Sequence, residues 1–169
     1  MSNNFESEII VRKARYTEIP ALAKIQCAAW KAAFADIITA RTMEKYTDED
    51  MNTIMLRRVF NKGLGHLYIA GIDNKACGML FWQPIDNRSA EIVALHTLKR
   101  VWGKGVGRAL MDKALADITE EGFFGVKLWV FRNNLRARKF YEKCGFTMTG
   151  HERFSQYDRA VETQYRRIL

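Results

Sequence analysis

Between Glu91 and Ile118 the chain passes from a strand-like period to a helical one through a turn with three glycines, Trp102-Gly103-Lys104-Gly105-Val106-Gly107-Arg108. Beyond it Val106, Leu110, Ala114 and Ile118 recur at every fourth position with Met111 and Leu115 beside them, which predicts an amphipathic helix. Gly103, Gly105 and Gly107 let the backbone approach a ligand closely. The helix start behind them presents unpaired N–H groups at the positive end of its dipole. The segment therefore reads as an anion cradle, with Lys104 and Arg108 adding charge where phosphate oxygens would sit. A turn that merely reverses the chain is the plainer alternative. A nucleotide P-loop needs GxxxxGK followed by Ser or Thr, which is absent. A dinucleotide fingerprint needs its glycines after the first strand of a parallel unit, whereas this turn comes late, behind a meander.

The flanking sequence supplies that meander. Ile9, Ile10 and Val11 suit a first strand over residues 8–13. Thr17 is placed to cap a helix, with Glu18 and Pro20 early in it, Leu22, Ile25, Ala29 and Ala33 on one face, and Trp30 and Phe34 beside them. A second helix is expected over 47–61, stopped by Gly63 and Gly65. Three apolar runs, 66–71, 76–83 and 90–98, are separated by Asp73-Asn74 and by Pro84, Asp86 and Asn87, the pattern of an antiparallel meander. After the glycine turn and its helix come a strand over 126–131 and a helix capped by Asn134 and stopped by Gly145. Two closing strands follow over 146–153 and 161–168. The expected fold is α/β (α+β): a single domain over residues 1–169, its mixed, mostly antiparallel sheet of about seven strands carrying about four helices on its faces.

Composition narrows the class further. With 169 residues, 48% hydrophobic content and only two prolines, the chain can bury a core and does not suit disorder. No apolar run approaches the ~18 to 20 residues of a membrane span, and the start MSNNFESEII is polar and acidic, so neither a membrane partner nor secretion is expected. Cys27, Cys77 and Cys144 are odd in number, far apart and lack metal-ligand spacing. They are expected to be reduced, buried thiols of a cytoplasmic protein that holds no metal. The net charge of +8 favours an anionic ligand. A nucleic-acid reader would usually show a basic recognition helix or aromatic-interleaved basic strands, and neither is evident, so no nucleic acid is expected.

The run Leu95-His96-Thr97-Leu98-Lys99-Arg100-Val101-Trp102-Gly103-Lys104-Gly105-Val106-Gly107 resembles the acyl-CoA signature of the GNAT superfamily of N-acetyltransferases. The run from Asn134 to Phe146, NLRARKFYEKCGF, is similar to that family's second motif, NxxAxxFYEKxGF. The element order matches over nearly the whole chain, and the Trp30 to Phe34 region resembles small-molecule, polyamine-type members. The resemblance implies acetyl-CoA as cofactor. Backbone groups of Leu95, His96 and Thr97, beside a bulge in the fourth strand, would pair with the pantetheine arm. Amides from Gly103, Lys104, Gly105, Val106, Gly107 and Arg108 would hold the pyrophosphate. Asn134 would contact the cofactor arm where the fourth and fifth strands splay, Lys143 would reach a phosphate, and Tyr141 would face the sulfur. Trp102 departs from the pattern, standing where Arg or Gln is usual; His96 replaces an aromatic residue and Thr97 a valine.

Acetyl transfer from a thioester to an amine requires a neutral nucleophile, yet an alkylamine has a pKa of about 10.4, so a proton must leave. The departing thiol, near ~8.5 by analogy with cysteine, leaves best with a donor in reach. Tyr141 suits that donor, although its place beside Phe140 also suits core packing. Glu91 and His96 compete as the base; a solvated strand-edge carboxylate and an outward-packed imidazole are their plainer readings. The acceptor should sit across the splay, lined by Trp30, Phe34 and Tyr46, with Asp36, Asp48, Glu49 or Asp50 drawing a cation, although those carboxylates equally suit a helix start. The expected acceptor is the primary amine of a small molecule: a polyamine, an amino acid or an amine toxin. A protein or peptide N-terminal acetyltransferase would need an open groove. A non-catalytic acyl-CoA-binding module would keep the glycine turn and lose the acid. Homodimers are common in the family, so a homodimer is compatible with the resemblance.

Overall fold

The computed structural model describes residues 8–169, so the polar start over 1–7 lies outside the described residues. In chain order these residues form β1 (Ile9–Lys13), α1 (Ile19–Ala33), α2 (Ala40–Tyr46), α3 (Glu49–Asn61), β2 (His66–Ile72), β3 (Lys75–Pro84) and β4 (Ser89–Thr97). Then follow α4 (Val106–Glu120), β5 (Gly125–Phe131), α5 (Leu135–Lys143), β6 (Thr147–Phe154) and β7 (Val161–Ile168). The strands make one sheet in the order β1-β2-β3-β4-β5-β7-β6. Every neighbouring pair is antiparallel except β4 and β5. The fold class expected from the sequence holds.

Local chemistry explains most boundaries. Asp73 and Asn74 both adopt left-handed φ (50 and 61), the geometry of a two-residue turn that matches strand twist, and β2 pairs with β3 across it. Thr17 does not cap α1. It lies in a 3-10 turn, Tyr16–Glu18, and α1 starts after it. The residue that secures this junction is Glu18, whose carboxylate takes two hydrogen bonds from Arg12 (2.8 and 2.6 Å) and one from the Arg15 amide (2.8 Å). The Arg12 guanidinium holds its pKa down to about 2. One helix went unread: α2 has seven residues, ARTMEKY, too short to show an apolar stripe, and is fixed by its Thr39 cap and by contacts from the far end of the chain.

Both faces of the sheet are covered, which is why β3 reads as an uninterrupted apolar run. Leu80 and Trp82 join the core under α4 and α5, while Met79 and Phe81 point the other way into the core under α1 and α3. Full burial of each such side chain contributes about 1.5 to 3 kcal/mol. All three cysteines are free and buried. Among the described residues no helix is long and apolar enough to cross a membrane.

Candidate active site

The site begins at a fault in the sheet. Along β3 and β4, Trp82 pairs with Ile92 but Phe81 pairs with Ala94, so Val93 is an extra residue that bulges from β4. The parallel ladder between β4 and β5 runs from Ser89↔Gly125 only to Ile92↔Leu128. Past that rung β4 continues to Thr97 against β3, and β5 continues to Phe131 against β7. The edge of β4 after the bulge thus lacks a strand partner, and its peptide groups are available to an extended ligand. A cavity of about 720 Å³ occupies the opening.

At one end of the cavity stands the glycine turn. Gly103 and Gly105 have φ of 73 and 87, a region other L-residues enter at a cost, and Gly105 is the N-cap of α4. The first i→i−4 bond of the helix is Ala109 N–H to the Gly105 carbonyl (2.9 Å), which leaves the amides of Val106, Gly107 and Arg108 without helical acceptors. Leu95, His96, Thr97, Gly103, Gly105, Val106, Gly107, Arg108, Asn134 and Tyr141 all line this cavity. Lys104 and Lys143 do not. Arg108 is tied to Asp112 (2.8 Å) and to the Lys143 carbonyl (3.3 Å).

The departure at Trp102 has a structural counterpart. Its indole N–H donates to the Thr97 carbonyl (3.2 Å), and the Arg136 guanidinium lies 3.5 Å from its ring centroid. Among the described residues Arg136 has no hydrogen bond or ion pair. Burial lowers its pKa. α5 thus brings a guanidinium over the ring at position 102, where Arg or Gln is usual in the family this run resembles. Nothing local in the sequence ties Arg136 to Trp102.

Two titratable side chains with shifted pKa values, Tyr141 and His96, line the opening. Tyr141, on the buried face of α5, packs edge-on to Phe140 and Phe146, and burial pushes its hydroxyl up to about 12. His96 accepts the Trp30 indole N–H at Nε2 (3.3 Å), which assigns its proton to Nδ1, and burial lowers its pKa to about 4. Glu91 is not brought to this place: it is outside the cavity lining, and its carboxylate accepts from Gln83 Nε2 (3.3 Å) on the neighbouring strand.

The other end is aromatic. Trp30 and Phe34 line it, and Tyr46 stands behind, within 6.3 Å of the Trp30 centroid. The structure adds Phe131 from β5, 5.0 Å from Phe34, and Tyr157 from the β6–β7 turn, 4.9 Å from Trp30 and perpendicular to it. That turn is held by its neighbour Asp158, whose carboxylate accepts from the Thr39 amide (2.6 Å) and the Thr42 hydroxyl (2.5 Å). Asp36, Asp48, Glu49 and Asp50 line no part of this cavity; Asp48 caps α3 through the Met51 amide (2.8 Å). The sequence signal for Tyr157 was only that of a turn between two strands.

A mixed sheet split between two parallel strands, with main-chain amides at a glycine turn left free at one end of the split, is the frame of this site. The chain belongs to the acetyltransferase (GNAT) family, whose profile matches residues 30–146. Its fold is similar to the PaiA N-acetyltransferase from Thermoplasma acidophilum in complex with coenzyme A, with a TM-score of 0.83 and 20% identity over 96% of this chain and 99% of that one. It is 26% identical over 143 residues to the spermidine N(1)-acetyltransferase of Thermoplasma acidophilum, covering 82% of this chain and 88% of that protein. It is 39% identical over 67 residues to an uncharacterized N-acetyltransferase of Mycobacterium bovis, a match over 40% of this chain and 43% of that protein's length.

Proposed function

We propose that the protein is an acetyl-CoA-dependent N-acetyltransferase that moves the acetyl group to a primary amine of a small molecule by direct attack in a ternary complex. The observation that carries this reading is the continuity of one cavity from the glycine turn, past Tyr141 and His96, to the aromatic end. The residues fit the cofactor: the turn presents main-chain donors without side chains in the way, Arg136 adds an unpaired guanidinium, and the free edge of β4 suits an amide-bearing arm. Acetyl-CoA supplies an acyl carbon already activated as a thioester. Amides of Gly103 and of Gly105 to Arg108 would bind the pyrophosphate, whereas the Lys104 amide is taken by the Val101 carbonyl (3.2 Å); Leu95 to Thr97 would align the arm, and Asn134 would hold it in the splay. Tyr141 keeps its proton at neutral pH and gives it to the departing sulfur. His96, neutral with Nε2 held by Trp30, orients the amine, and the amine's surplus proton returns to the Tyr141 phenolate through water. The geometry favours His96 over Glu91 for contact with the nucleophile. Lys104 and Lys143 contribute to the positive field rather than to contacts.

The pinned β6–β7 turn favours a small acceptor over a peptide, which would need that end open. The relative named as a spermidine N(1)-acetyltransferase supports an amine acceptor. The test is release of free thiol from acetyl-CoA with a panel of amines, comparing wild type with Tyr141→Phe. Loss of the acid should lower kcat by roughly 10²-fold or more, with the KM for acetyl-CoA nearly unchanged. Full turnover by the variant removes Tyr141 from its role. Calorimetry showing no binding of acetyl-CoA overturns the assignment as a whole.

A further inference from the structure

We propose that the acceptor is a monoamine carried on an aromatic or similarly flat apolar body, an arylalkylamine in chemical class, bound between α1 and the β6–β7 turn. This rests on the transferase reading above and narrows its acceptor. The far end of the cavity is walled by Trp30, Phe34, Phe131 and Tyr157, whose rings contact one another edge-to-face at centroid distances of 4.9 to 5.2 Å. Such walls reward a flat apolar ligand through area and ring–ring geometry.

Charge rules against the polycation. Among the described residues the one carboxylate lining the cavity is Glu162, and it is taken by Arg153 at 2.7 Å, with its side chain only 13% exposed. Arg153 itself is stacked 4.2 Å from the Trp129 centroid. A polyamine would bring two or three ammonium groups into a cavity that also holds Arg108, Arg136 and Arg153, without a free carboxylate to match them. An acidic amine fares no better at this end, because Arg153 is already paired. A single ammonium against ring faces is tolerated through its attraction to the π cloud, and loss of water there favours the neutral form. The nitrogen lone pair then forms the N–C bond as the C–S bond breaks. The sulfur takes the Tyr141 proton, and the surplus amine proton returns to the phenolate through water, which leaves an amide and a free thiol.

The test measures thiol release from acetyl-CoA with phenethylamine, spermidine and a short peptide with a free N-terminus, on the full chain. The expected result is a kcat/KM for phenethylamine at least tenfold above the other two. In Tyr157→Leu, which keeps apolar volume and removes the ring, the KM for phenethylamine should rise about tenfold while the KM for acetyl-CoA stays put; thermal melting checks that the variant folds. Spermidine or the peptide matching or exceeding phenethylamine overturns this inference and leaves the transferase standing. No thiol release with any amine, despite calorimetric binding of acetyl-CoA, overturns both. Should Tyr157→Leu not fold, an unchanged phenethylamine preference in Phe34→Leu overturns the aromatic site.

Discussion

His96 and Tyr141 are moved in opposite directions by one cause. Burial disfavours the charged form of each, so the imidazole stays unprotonated and the phenol stays protonated at neutral pH. In the proposed reaction Tyr141 is thereby kept in its donor form, while His96, its Nε2 taken by Trp30, stays uncharged beside the amine. For stability the sign follows from proton uptake. The unfolded chain protonates His96 below the usual imidazole value of about 6.5, whereas the folded chain resists until about 4. The unfolded state therefore binds more protons in that window, and stability should fall as pH drops from ~6.5 toward about 4. Urea midpoints of wild type and His96→Gln across that range check this: the wild type should lose ground relative to the variant as acid is added. Tyr141 and Asn134 were singled out by the motif resemblance; spacing alone left Tyr141 equally suited to core packing and made Asn134 a helix cap. Arg136 and Tyr157 were invisible, because their partners Trp102 and Trp30 lie far away in sequence and meet them only in the folded chain.

The junction of β4 with α4 depends on a backbone that only glycine adopts cheaply. A methyl at Gly105 would meet only Ile9 Cδ1 at 3.6 Å, so the penalty of Gly105→Ala is conformational, not steric. With φ at 87 it should cost on the order of 1 to 2 kcal/mol. The expected outcome is a lowered Tm and weakened calorimetric binding of acetyl-CoA together, since relaxing the strain re-aims the amides behind it. Strand and helix runs such as 161–168 and 106–120 were legible because their periods differ. The sheet's split was not. Alternation in β4 and β5 is the same whether the two strands stay paired or part after Ile92 and Leu128, and what parts them is the bulge at Val93, whose place depends on register with β3. Only the resemblance to a known family anticipated it.

Acceptor and donor ends draw on different parts of the chain. In the proposed reading the acyl grip would come from the contiguous stretch β4-α4-β5-α5, and the amine end would be closed by α1 and the β6–β7 turn, which Asp158 fastens to α2. In Asp158→Ala that fastening is lost, and kcat/KM for the amine should fall on the order of tenfold through poorer positioning, with the KM for acetyl-CoA unaffected; two-substrate kinetics separates the two. Hydrogen bonds from Thr42 and Thr39 hold the Asp158 carboxyl below its usual range, so the clasp persists at neutral pH and loosens only in acid. This division of labour has an engineering corollary. Because α1 and the β6–β7 turn lie outside the Ser89–Lys143 stretch, substitutions confined to their cavity-facing side chains are expected to retune which nucleophile enters while that stretch goes on loading the same activated acyl group.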